Sequence, residues 1–152
     1  MNKENLFLKI ITVVVISITL FITGCATLSV KERSELIAMK TNEPPIYVEE
    51  KTPSTAALLG ILPGGGSFYT RQWGLGILDL LLWPISVLWD PFVGYEGAQA
   101  INYEETRSLA KNKKKKEMDV LEEKKLRKEI AEEQYTIEKT IIERRYTFNY
   151  NN

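Results

Sequence analysis

Apolar positions gather in three runs, Ile10–Ile22, Ala56–Leu62 and Trp73–Val93, while the last third of the chain is charged. The first run is interrupted by Thr12, Ser17 and Thr19 and follows Lys3 and Lys9. It is shorter than a spanning helix of about 20 residues and fits a signal-peptide core. The second run stands behind Ser54, a candidate helix cap, and ends at Pro63 and Gly64-Gly65-Gly66. The third would measure about 31 Å as one continuous helix, enough for a hydrocarbon core of about 30 Å. Trp73, Trp89, Tyr69 and Tyr95 stand near its ends, as an aromatic belt would. An all-apolar helix can also be buried in a globular core, but the charged remainder of this chain offers little to bury it against.

The intervening segments are mixed. Val30–Lys40 predicts a short helix, with Leu36, Ile37 and Met39 partly on one side. Pro44-Pro45 and Pro53 impose extended or turn geometry, so Thr27–Pro53 reads as a spacer with at most one short strand at Ile46–Val48. Glu117–Arg145 is rich in helix formers, lacks Gly and Pro, and holds an i,i+4 pair at Glu123 and Arg127. Leu126, Ile130, Ile137 and Ile141 make a stripe interrupted at Glu133-Gln134, a marginal coiled-coil seam. Tyr146, Phe148 and Tyr150 alternate like a strand, with pairing to Ile46–Val48 left open. The pattern predicts a mostly α chain in four parts: a signal peptide over 1–24, a tether over 25–53, a short helical membrane hairpin over 54–94, and an extended, charged helical tail over 95–152.

Composition narrows the chemistry. The chain has 152 residues, no histidine and one cysteine. No Ser-His or Cys-His nucleophile pair, zinc site of the usual Cys/His kind, or intramolecular disulfide can be built from these. Carboxylates remain, and Glu104 and Glu105 with Asp90 are the candidate set for a hydrolase. Adjacent acids on a charged helix face are, however, ordinarily solvated. The expectation is therefore a non-enzyme, with no cofactor and no metal. A formal net charge of zero argues against nucleic acid as partner. The Lys111–Lys116 block reads as a solvated run or a contact with anionic lipid.

Ile22-Thr23-Gly24-Cys25 resembles the bacterial lipobox: an aliphatic residue, a small residue, Gly or Ala, then cysteine. The resemblance implies a lipoprotein whose Cys25 carries a diacylglyceryl group and, after cleavage, an acylated amino terminus such as palmitate. Two or three acyl chains anchor stably where a single chain does not. An uncleaved signal anchor is the alternative.

Within the apolar region, Gly60, Gly66, Phe68-Tyr69, Trp73-Gly74-Leu75-Gly76-Ile77-Leu78 and Trp89-Asp90 resemble the two-transmembrane-helix domain family, whose members include amyloid-beta-binding-protein-like proteins. The resemblance implies a compact helical hairpin in the membrane and no particular chemistry. It departs at Ser67, where a histidine is usual nearby, and at Thr70-Arg71 in place of Leu-Gly. Read from the residues themselves, Gly60, Gly64, Gly65, Gly66, Gly74 and Gly76 allow two helix backbones to approach closely in lipid. Asp79 would face the hairpin or a partner, with Arg71 as candidate counter-charge. It marks either a partner or ion contact or an interfacial acid. Asp90, before Pro91, is expected at the far interface in contact with water.

The functional expectation is a lipid-anchored envelope protein acting as a structural or interaction scaffold. Its partners would be membrane lipid and another envelope protein or a second copy. The alternative is a small oligomeric transport or channel accessory subunit. A hairpin would leave the tail outside the inner membrane, whereas one crossing by Trp73–Val93 would leave it in the cytoplasm. The hairpin, in the inner membrane, is the expected arrangement, and the outer membrane is the alternative location.

Overall fold

A computed structural model describes residues 27–41 and 45–148, so the expected signal peptide, Cys25 and Tyr150 lie outside the described residues. The fold is mostly α, with no strand among the described residues. The helices are α1 Val30–Thr41, α2 Pro53–Leu59, α3 Gly65–Tyr69, α4 Trp73–Leu81, α5 Asp90–Leu126 and α6 Glu132–Arg145, with a 3-10 turn at Ile85–Leu88. The chain divides into two compact units. Unit 1 contains Lys51–Ala100, and unit 2 contains Leu28–Glu50 and Ile101–Asn152.

Unit 1 is a set of short helices because its sequence supplies a stop every few residues. Pro53 occupies the first turn of α2, where its missing N–H is no loss. Gly64, at φ 70°, turns the chain into α3. The run Trp73–Val93, expected as one helix, ends instead at Leu81. Pro84 has no N–H to continue the ladder. Leu82 N–H closes the last turn on the Leu78 carbonyl at 2.9 Å, a 3-10 turn follows, and a new helix starts at Asp90. Among the described residues no helix is long and apolar enough to cross a membrane.

Unit 2 takes up the segment expected as a spacer. Ser29 and Glu32 form a reciprocal cap on α1: Ser29 N–H donates to Glu32 Oε2 at 2.8 Å, and Glu32 N–H donates to Ser29 Oγ at 3.3 Å. The Ser29 hydroxyl bond holds the Glu32 carboxyl below its ordinary pKa. Leu36 and Met39, one turn apart on α1, are buried against Tyr103 of α5, with Leu28, Tyr47 and Phe148 around them. Ile46–Val48 is pinned by side chains rather than by a strand. Thr106 Oγ1 accepts the Val48 N–H at 3.0 Å, and Asn102 Nδ2 donates to the Tyr47 hydroxyl at 3.0 Å.

The tail is two helices instead of one. Lys128, at φ 56°, takes the left-handed position just past α5. Lys128 N–H bonds the Lys125 carbonyl at 2.9 Å and Glu129 N–H bonds that of Lys124 at 3.0 Å, a Schellman closure. The chain then returns. Lys125 pairs with Glu132 at 2.7 Å near the turn, and Glu117 accepts from Arg145 at 2.8 Å and from the Tyr146 hydroxyl at 2.7 Å at the far end. An open groove of about 490 Å³ runs between the helices over Leu121 and Ile142. Leu126, Ile137 and Ile141 of the expected seam are exposed, because this buried face falls out of register with theirs.

Candidate functional site

The most distinctive constellation lies inside unit 1 and begins with small residues. A Cβ on Gly66 would fall 2.9 Å from the Asp90 carbonyl oxygen and 3.0 Å from that of Ala56. A Cβ on Gly94 would fall 2.8 Å from the Ala56 carbonyl oxygen and 2.9 Å from Gly66 Cα. Only glycine permits α2, α3 and the start of α5 to meet this closely, the kind of approach small residues give packed helices.

That approach sets the Asp90 side chain over the start of α3. Gly66 N–H donates to Oδ2 at 3.2 Å and Ser67 N–H donates to Oδ1 at 2.9 Å. The Ser67 hydroxyl lies between two acids, 2.7 Å from Asp90 Oδ1 and 2.8 Å from Asp79 Oδ2. Trp89 Nε1–H donates to the other Asp79 oxygen at 2.6 Å. Ser67, Asp79 and Asp90 are all 0% exposed. Burial pushes the Asp90 carboxyl above the usual carboxylate range. The Asp79 carboxylate adds to the rise, and the Ser67 and Gly66 hydrogen bonds oppose it.

The outer surface of unit 1 has the reverse character. Leu81 is 75% exposed and Leu88 83% exposed, with Trp73, Leu80, Trp83 and Phe92 also exposed. From Thr52 to Val93 the charged residues are Arg71, Asp79 and Asp90. Both acids point inward, so Arg71 is the exposed charge of this stretch.

The structure brings Gly66, Asp79, Trp89 and Asp90 into one cluster. Gly60 stands against the Pro91 backbone, where a Cβ would come within 2.4 Å of the nitrogen. Gly76 faces the Phe68 ring, which packs on Trp73 with centroids 5.5 Å apart. Tyr69 accepts the Thr52 N–H at 3.3 Å, and Lys51 Nζ stands 4.5 Å from the centre of its ring. Gly74 is exposed on α4, outside this packing. One expectation is corrected: Asp90 is dry rather than at a wet interface, because two backbone amides and Ser67 replace its water. Asp79 faces the interior of the unit, held by Ser67 and Trp89 rather than by Arg71. Ser67 was noticed only as a departure from a resemblance. Its partners lie 12 and 23 residues away, so no local spacing marks it.

No protein-family model, curated protein or solved structure matches this chain. Among the described residues no group of three or more His, Cys, Asp or Glu is placed to hold a metal ion. Glu104 and Glu105 are exposed on α5, apart from the hydrogen-bond partners of Asp90.

Proposed function

We propose that the protein is a lipid-anchored scaffold of a bacterial envelope, with unit 1 seated in membrane lipid and unit 2 offering its helices to another envelope protein or a second copy. One observation carries the reading: unit 1 faces outward with leucine and tryptophan while its acids are satisfied internally. In water an exposed apolar shell of this kind is a liability. In lipid it is the required surface, and polar groups must find their partners inside. The lipobox resemblance at Ile22-Thr23-Gly24-Cys25 supports a second attachment in the same chain.

The seat enters one leaflet and returns. The nine residues of α4 span about 14 Å, roughly half of a hydrocarbon core of about 30 Å. The test uses the full chain in vesicles whose acyl chains carry bromine at defined depths. The chain's tryptophans, Trp73, Trp83 and Trp89, all lie in unit 1, so quenching reports this unit regardless of the anchor. Quenching by bromine in the upper acyl chain is expected, with Leu81→Asp and Leu88→Asp each weakening the partition of unit 1 about tenfold or more. Tryptophans untouched by bromine at any depth would refute the lipid seat.

A further inference from the structure

We infer that Asp79, Ser67 and Asp90 hold one proton beyond the serine's own, and that this proton closes unit 1. The inference rests on a count of donors. Ser67 Oγ lies within 2.8 Å of a carboxylate oxygen on each side and carries a single hydrogen. That hydrogen serves one acid. If both acids were ionised, the other short contact would set lone pair against lone pair in a site from which water is excluded, where unpaired charge is most costly. A carboxyl proton donated to Ser67 Oγ turns the contact into a hydrogen bond. By passing its own proton to one carboxylate as it accepts the other's, Ser67 lets the shared proton rest on either side, so the proton belongs to the pair. Two carboxyl groups in one site titrate in separate steps for the same reason.

Among the described residues, no cation bonds to either acid to replace this proton. The other charged or titratable groups of Lys51–Ala100 are Lys51, Tyr69, Arg71, Tyr95 and Glu96. α2 and α4 contribute no further such group, α3 contributes Tyr69, and the first turns of α5 contribute Tyr95 and Glu96. Among the described residues, Asp79 and Asp90 bond to Ser67, Trp89 and the Gly66 and Ser67 amides, and to no ammonium or guanidinium group. The raised Asp90 carboxyl agrees with a retained proton. Its sign fixes the response. Stability from this proton is complete below the unfolded carboxylate's pKa of about 4 and is lost as pH rises through the raised value of Asp90.

The test uses the full chain in vesicles, read by infrared spectroscopy and by the melting of tryptophan fluorescence across pH. At neutral pH the wild type should show a protonated-carboxyl stretch that disappears at alkaline pH. Its melting temperature should rise on acidification from alkaline pH. Asp79→Asn offers an amide N–H to Ser67 Oγ in place of the acid proton while its oxygen still accepts from Trp89, so it should remain folded, lose the stretch and lose the pH slope. Asp90→Asn is the second variant and should also lose the stretch. A wild type with no such stretch at neutral pH would overturn the inference. So would a pH slope that persists unchanged in both variants, since it would then originate elsewhere. The infrared measurement on the wild type stands even if either variant fails to fold.

Discussion

Ser67 shows how much one small side chain can determine. An alanine there would remove the one hydroxyl that two buried acids share, leaving Asp90 only its two backbone amides and Asp79 only the Trp89 N–H. Tyr103 has the matching role in unit 2. Its hydroxyl donates to Glu35 Oε2 at 2.7 Å within the cluster of Leu36 and Met39. Burial, reinforced by Glu35 as acceptor and as charge, pushes the Tyr103 phenol from 10.0 up to about 12, against the opposing pull of Arg107. The protonated phenol is thus the form the fold prefers. Its contribution is whole below pH 10.0 and disappears as pH climbs through about 12. Amide exchange in α1, followed from neutral to strongly alkaline pH, should accelerate across that window. Tyr103→Phe should abolish this part of the alkaline response and cost about 1 kcal/mol at neutral pH through the lost hydrogen bond.

Helices were readable where the chain punctuates itself and misread where tertiary partners decide. Val30–Lys40 was legible as a helix because Leu36, Ile37 and Met39 gather partly on one side, and the structure adds the Ser29–Glu32 cap that starts it. The helix boundaries inside unit 1 were hidden because hydropathy alone cannot separate one membrane-length run from several short turns. Pro84 was the available signal, and it was outweighed by the overall length of the apolar run around it. The break between α5 and α6 was not legible at all. No Gly or Pro marks it, and a lysine fills the left-handed position that glycine usually takes. That mismatch predicts a gain. Left-handed backbone costs a residue with a side chain about 1–2 kcal/mol, while glycine's looser unfolded chain returns about 0.4–1 kcal/mol of this. Lys128→Gly should therefore raise the stability of unit 2 by about 0.5–1 kcal/mol, measured by urea unfolding at fixed pH.

At the scale of the molecule, the two units present opposite surfaces. Unit 2 buries Leu36, Met39 and Tyr103 beneath a charged exterior, the usual order in water. Unit 1 buries its acids and exposes its leucines. A lipid seat that does not cross the bilayer has a consequence for topology: the chain enters unit 1 near Lys51 and leaves it near Ala100 on the same side. On the proposed lipid seat, Lys111–Lys116 would lie on the face where the proposed anchor is made, contrary to the preference of lysine-rich segments for the cytoplasmic side. A bilayer crossing, however, needs about 20 apolar residues in one helix, and α4 has nine. Asn112→Cys in the otherwise intact chain, treated with an impermeant maleimide on cells whose inner membrane is sealed, should react at position 112. Reaction only after that membrane is permeabilised would mean that the chain crosses, and the one-leaflet seat would have to give way to a spanning helix that forms in lipid.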